Sequence, residues 1–443
     1  MHGDRRTRTA RGRVGQSVLT PNSTVSLRDG TLACESVALD VLAEHVGTPA
    51  YVYSSSSIRE QFRLLDKALT GIPHRIHYSL KANANWAILR LIRSLGGGAE
   101  VVSGGELYRA LHGGFAPQDV VFGGVGKSTR ELGEAVDAGV RLVNVESEAE
   151  LRLLDTIACD RKRKIPVGLR LNPEITVDSP HAYIRTGGKG HKFGIPYDEG
   201  LSAARLAASL PWIELAGVDM HVGSQLAVMD AYERGLERIT SLLDAVKADG
   251  IRSIRYLDIG GGLAVPYEDE KPPDLKTYGR IVRDVAKRTG LEILVEPGRF
   301  LVADAGILLT RVLYRKRSGG REIAVTDAGM TELLRPSHYQ AYHHIEPARP
   351  RQRANVRIDV VGPVCESGDF LALDREMPDI EAGDLLAVRT AGAYGYSMAS
   401  NYNARPRACE VLVEGDRWAL TTEREEYRDL TRLERIGLEW KSA

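Results

Sequence analysis

From about residue 75 to residue 296 the chain repeats one alternation. Short apolar runs at 75–80, 99–103, 119–122, 141–145, 167–171, 214–221, 256–259 and 292–296 recur along it. Between most of them lie stretches such as 86–95, 105–112 and 231–248, with apolar residues every three or four positions. The runs read as strands and the intervening stretches as amphipathic helices. Eight strands alternating with helices predict a parallel (β/α)8 TIM-like barrel over residues 46–310. A doubly wound open sheet is the alternative, and the count of eight favours the barrel. After Gly306 the period drops to two, with runs at 307–314, 322–326, 356–361, 385–390 and 408–413 separated by Gly, Pro and Asp turns. An all-β second domain, a β-sandwich or β-barrel, is therefore expected over residues 311–443. The segment 25–45, with a strand-like piece at 32–34 and a helical one at 37–44, is expected to complete it.

Composition narrows the function classes. The chain of 443 residues exceeds one ordinary domain, and a hydrophobic fraction of 43% supplies a sizeable core. Formal charge is zero at pH 7, so no bulk electrostatic attraction favours nucleic acid or an anionic membrane as a partner. No apolar run approaches the roughly 18 residues needed to span a bilayer. The arginine-rich start, residues 1–24, lacks the apolar core of a secretory signal and reads as a disordered basic tail, with a transit peptide as the rival reading. The four cysteines, Cys34, Cys159, Cys365 and Cys409, show no metal-ligand spacing and suit reduced thiols in the cytoplasm. No metal site is expected. The run Arg161-Lys-Arg-Lys164 reads as a solvated loop.

Chemistry gathers at strand ends. Ile76-His-Tyr-Ser-Leu-Lys81 places a lysine where the first strand gives way to polar residues, the position at which barrels hold their reactive groups. A lysine desolvated there can lose its proton and condense with a carbonyl cofactor. After the seventh strand, Gly260, Gly261 and Gly262 can bring backbone N–H groups around a phosphate, or can simply make a turn that needs positive φ. The eighth strand ends in Glu296-Pro297-Gly298-Arg299, a carboxylate and a guanidinium on one tight turn, and the sixth in His221, followed by Ser224. An imidazole can stack on a planar ring, and a hydroxyl can bond a phosphate. Taken together these groups describe a site for pyridoxal 5'-phosphate, with an aldehyde for Lys81, a phosphate for the glycines and a pyridine nitrogen for Glu296. A carboxylate facing that nitrogen keeps it protonated and the ring a strong electron sink, which favours decarboxylation over racemisation.

The motifs Tyr78-Ser-Leu-Lys-Ala-Asn83, Ser103-Gly-Gly-Glu-Leu107, His221-Val-Gly-Ser-Gln225, Gly260–Gly262 and Glu296–Arg299 resemble those of the barrel-plus-β-domain decarboxylases that use pyridoxal phosphate, a family that includes ornithine and arginine decarboxylases. Asp327-Ala-Gly-Met330, Leu334-Arg-Pro336 with Tyr339, Cys365-Glu-Ser-Gly-Asp369 and Gly392-Ala-Tyr-Gly395 resemble its diaminopimelate branch. The resemblance runs from about residue 30 to residue 435. It implies the alanine racemase-like arrangement, fold type III, of an α/β barrel with an all-β domain. It further implies decarboxylation of meso-2,6-diaminopimelate to L-lysine in a homodimer with shared active sites. On the same resemblance, Lys81 would bond the cofactor, His221 stack on its ring, and Ser224, Gly260–Gly262 and the Pro297-Gly298-Arg299 turn serve its phosphate side. Arg299, Arg335 and Tyr339 would grip substrate carboxylates, Glu366 would face the distal amine, and Tyr394 would touch cofactor and substrate. Cys365 would return the proton after carbon dioxide leaves. Meso-diaminopimelate carries two amino and two carboxylate groups, arginine forks match carboxylates bidentately, and ornithine has no second carboxylate to hold. Ala264 and Glu100 depart from the family's usual glycine and aspartate, and neither change is expected to touch a catalytic position. Decarboxylation of a D-configured or carrier-bound amino acid, and a non-catalytic regulatory homologue, are the competing functions.

Overall fold

A computed structural model describes residues 24–175, 192–437 and 439–441; of the expected basic tail only Thr24 is among them. The eight expected strands form one closed parallel sheet: His74–Ser79, Gly98–Val101, Val120–Phe122, Leu142–Val145, Ile165–Asn172, Ile213–Met220, Tyr256–Asp258 and Glu292–Val295. Each pairs in parallel with the next, and the ring closes where Val295 lies opposite Ile76. Closure removes both sheet edges, so every strand can bury its two faces. The helices start where the sequence supplies an oxygen for their free N–H groups. Asn85, Ser103, Ser128, Ser147 and Asp274 each accept from a backbone N–H of the first turn. Such a cap contributes about 1 kcal/mol.

The second domain is built on a mixed sheet around the long strand Gly306–Ser318. That strand pairs antiparallel with Leu385–Val388 and Ala50–Ser54 near its start and with Arg321–Thr326 near its end. Ala50–Ser54 also pairs in parallel with Cys409–Glu414. A barrel beginning at residue 46 would have claimed this strand; the structure gives it to the second domain. All five of its residues are buried. Tyr51 donates to the Glu332 carbonyl and Tyr53 to the Glu410 carboxylate, each at 2.7 Å, so both phenols find partners inside that domain. Val25–Arg28, Thr31–Cys34 and Val37–Ala38 make a small separate sheet. Its Val25, Leu32 and Cys34 pack with Ile307, Leu309, Val411 and Val413 of the large one.

The two domains meet over the lysine turn. Tyr394 N–H donates to the Ala82 carbonyl at 2.8 Å, and the Asn83 and Asn85 amides donate to the Gly392 carbonyl and the Glu410 carboxylate. Gly392 packs so close to the Val302 carbonyl that no Cβ would fit there. The loop carrying Tyr394 is thereby held against the carboxyl ends of the barrel strands. Among the described residues no helix is long and apolar enough to cross a membrane.

Candidate active site

A cavity of about 780 Å³ opens at that junction. Lys81, in the single turn Leu80–Ala82 after the first strand, lines it. So do His221 and Ser224 after the sixth strand, Gly261 and Gly262 after the seventh, and Glu296 to Arg299 after the eighth. Arg335, Tyr339 and Tyr394 close it from the second domain. Gly260 stands just behind, with φ +64°. The glycines answer a steric demand as well as a turn: a Cβ on Gly261 would strike the Glu296 carbonyl, and one on Gly262 the Gly223 carbonyl. Gln225 then clamps the following loop by accepting from Val265 N–H at 2.9 Å and donating to its carbonyl at 3.0 Å.

Negative charge dominates the floor. Oxygens of Asp219, Asp258 and Glu296 lie within 4.8 Å of one another. Arg170 sits 3.6 Å from Asp219 and 2.5 Å from Glu146, and Lys81 Nζ is 3.8 Å from Glu100, which accepts the Ser79 hydroxyl proton. Five carboxylates thus face two cations. Burial and mutual repulsion push the Asp219, Asp258 and Glu296 carboxyls above the usual range. A hydrogen bond between Asp258 and Glu296 requires a proton on one of the two, and Asp219 Oδ1 has no partner. This surplus suits a ligand that brings positive charge to Glu296, as a protonated pyridine nitrogen would, so the floor fits the expected cofactor.

Two expectations need correction here. Desolvation by the cavity walls would by itself lower the proton affinity of Lys81, although 43% of its side chain is exposed, and Glu100, Tyr394 and Glu296 outweigh it and hold the amine above its ordinary value. The residue responsible first among the carboxylates is Glu100, so the departure from aspartate lies beside the reactive lysine after all. His221 goes the other way. Burial, with Arg170 and Lys81 nearby, keeps its ring neutral, and its Nδ1 accepts from Gly261 N–H at 3.4 Å.

The opposite wall is cationic. Arg299 donates to the Tyr267 hydroxyl at 2.7 Å and lies over the Tyr394 ring at 4.8 Å. Arg335 lies over the other face of this cluster, 4.3 Å from the Tyr267 ring centre, and donates to His343 at 2.8 Å. Both arginines are buried. Among the described residues no salt bridge joins either to a carboxylate, and Arg299 Nε is without a partner. Tyr267 is the contact that Arg299 and Arg335 share.

Comparisons with known proteins agree with this layout. The model of the pyridoxal-dependent decarboxylase pyridoxal-binding domain matches residues 55–303. Diaminopimelate decarboxylase of Pseudomonas aeruginosa is 46% identical over 92% of this chain and 97% of its own, and that of Vibrio cholerae 44% identical over 92% and 97%. The chain belongs to the diaminopimelate decarboxylase family. The crystal structure of the Helicobacter pylori family member complexed with L-lysine superposes with a TM-score of 0.87 at 39% identity, covering 90% of this chain and 100% of that one. The M. jannaschii family member, also in complex with L-lysine, gives 0.88 at 35% identity, covering 94% and 98%.

Within this family member, two expected site residues stand apart. Cys365 and Glu366 do not line the cavity and are exposed. Asp369 fixes their loop, accepting from Val364 and Met330 N–H at 2.6 Å each, and Asn403 accepts from Cys365 N–H at 3.1 Å. The sequence reading missed Arg170, Asp219, Asp258, Tyr267 and His343. A charged residue inside an apolar strand (Leu169-Arg-Leu171, Val218-Asp-Met220, Leu257-Asp-Ile259) was the available signal for the first three. Tyr267 and His343 sit in loops, where no periodicity marks them.

Proposed function

We propose that this protein decarboxylates meso-2,6-diaminopimelate to L-lysine and carbon dioxide, the last step of lysine biosynthesis, with pyridoxal 5'-phosphate as cofactor. The observation that carries this reading is the pair of buried arginines, without a carboxylate partner among the described residues, across the cavity from Lys81 and Glu296. Leaving two guanidiniums buried and unpaired is costly, and a substrate carboxylate relieves the cost. When bound, the cofactor supplies an aldehyde that takes up the substrate amine and a ring that draws off the electrons of the breaking bond.

In this reading Lys81 would hold the cofactor, and Glu100, 3.8 Å from its Nζ, would take the proton that the amine must lose. Neutral His221 would lie against the cofactor ring, and Ser224, Gly260–Gly262 and the Pro297-Gly298-Arg299 turn would hold its phosphate. Glu296 would face the ring nitrogen and hold a proton on it. Arg299, Arg335 and Tyr339 grip carboxylates, so binding energy from the distal end orients the carboxylate that leaves. Tyr394, held at φ +55° against the lysine turn, excludes water above it. Cys365 and Glu366 act in the site of the partner subunit of a two-fold dimer, with Cys365 returning a proton to the substrate carbon and Glu366 meeting the distal amine. The setting is the cytoplasm.

The reading is tested by chiral analysis of the product. Purified protein with pyridoxal phosphate and meso-diaminopimelate should give L-lysine and carbon dioxide in equal amounts. D-lysine, or carbon dioxide without lysine, contradicts it.

A further inference from the structure

Arg335 opens the short helix Arg335–Tyr339, which ends at Gln340 in a left-handed conformation. The chain then doubles back and brings His343, with no exposed surface, against the guanidinium eight residues earlier. The proton on that imidazole can be located from its partners. Nδ1 lies 2.9 Å from the Arg389 carbonyl oxygen, which can only accept, so Nδ1 carries the hydrogen. Nε2 then presents a lone pair, and Arg335 Nη1 donates to it at 2.8 Å. Tyr267 completes the seat: its ring lies under Arg335 and packs edge-on to His343 at 5.3 Å, while its hydroxyl takes a hydrogen from Arg299.

We propose that His343 is a positioning residue for substrate recognition, an uncharged acceptor that fixes the fork of Arg335 while leaving its charge for a substrate carboxylate. The inference rests on the proposed function, since it assigns Arg335 to that carboxylate. A carboxylate in the place of His343 would hold the fork as firmly but would cancel its charge and occupy two of its donors. The imidazole takes one of five N–H groups and no charge. It also stays uncharged. Burial, with Arg335, Arg299 and Arg375 around it, depresses its pKa to about 3. The other groups facing it are the Tyr267 ring and the Arg389 carbonyl, neither of which favours the cation enough to reverse this.

Two replacements separate the acceptor from the shape, both measured on the cofactor-loaded enzyme. Glutamine can accept from Arg335 and donate to the Arg389 carbonyl; methionine fills similar space and can do neither. His343→Met should raise KM for meso-diaminopimelate on the order of tenfold or more, the effect of losing a hydrogen bond to a charged group, with kcat changed far less. Its cofactor absorbance should match that of the wild type. His343→Gln should restore KM to within about threefold, because the acceptor is back. Equal KM in wild type and His343→Met, or a fall in kcat and cofactor loading with KM unmoved, overturns the proposal.

Calorimetry with pimelate, a dicarboxylate of the same length without amines, removes the dependence on turnover. Wild type should bind it, and His343→Met should bind it about tenfold more weakly. Hexanoate, with one carboxylate fewer, should lose the difference. Pimelate binding that is equal in the two proteins sinks the role of His343 even if the enzyme is active. An inactive wild type that shows the pimelate difference sinks the reaction and keeps the grip. Should His343→Met fail to fold, the wild type decides the matter through nitrogen NMR of histidine-labelled protein. The His343 ring should remain neutral with hydrogen on Nδ1 between pH 8 and pH 5, and a protonated ring in that range refutes the assignment.

Discussion

Replacing Arg335 with lysine keeps the charge and removes the geometry. The guanidinium now donates to His343 at 2.8 Å and rests 4.3 Å from the Tyr267 ring centre, and these two contacts fix the direction of its remaining N–H groups. A lysine ammonium is a compact point charge that cannot span His343, the Tyr267 face and a carboxylate together. Because Arg335 is only 6% exposed, water does little to offset the loss. Truncating one partner of a buried charged pair costs about 2–5 kcal/mol, which is roughly thirtyfold to several thousandfold in substrate affinity. The assay is steady-state decarboxylation of meso-diaminopimelate beside a spectral titration of cofactor into cofactor-free enzyme. KM should rise within that range while cofactor affinity moves little. Weaker cofactor binding with unchanged KM would place Arg335 on the phosphate side and refute the reasoning.

Three further outcomes follow from the geometry. Lys81→Ala should abolish turnover and leave any cofactor noncovalently held, and borohydride reduction of the wild type followed by peptide mapping should label Lys81 and no other lysine. If Cys365 acts in the partner's site, mixing inactive Lys81→Ala and Cys365→Ala enzymes should recover up to about a quarter of wild-type activity, since half the dimers are mixed and each mixed dimer has one intact site. No recovery after confirmed subunit exchange contradicts the shared site. His77, fully buried with neither ring nitrogen bonded, and His343 are both held neutral, with pKa values lowered from 6.5 to about 3. The unfolded chain takes up those protons first, so this part of the stability is present above pH 6.5 and is lost as the pH falls toward 3. Each ring should contribute a loss of about 2 kcal/mol between pH 7 and pH 5. His77→Leu should remove one such share, measured by denaturant unfolding at the two pH values; an unchanged acid dependence would show that His77 is not buried neutral.

The barrel was legible because each of its strands is a short apolar run closed by a polar residue, and strand ends are where its chemistry sits. Lys81, His221 and Glu296 could be found on that rule alone. Ala50–Ser54 was not legible in the same way. Its short run of apolar and aromatic residues suits a strand, but nothing local says that its partners lie some 250 and 360 residues further on. The charge of the floor was hidden for a related reason. Asp219 and Asp258 look like interruptions of apolar strands until the closed sheet turns them toward Glu296. The proton on Lys81 depends on that same convergence, and a rule based on burial alone gives it the wrong sign. His343 and Tyr267 act only through what the fold places beside them. Cys365 and Glu366 could be recognised from their motif, but a motif does not say into which copy's cavity a loop reaches.

The central claim is that two arginines facing a cofactor lysine select a substrate with a carboxylate at each end. Carbon dioxide release from meso-, L,L- and D,D-diaminopimelate, ornithine and lysine, compared side by side as kcat/KM, tests it most directly. The account predicts strong preference for meso-diaminopimelate and little release from ornithine or lysine, which lack the second carboxylate. Comparable release from ornithine or lysine would contradict it.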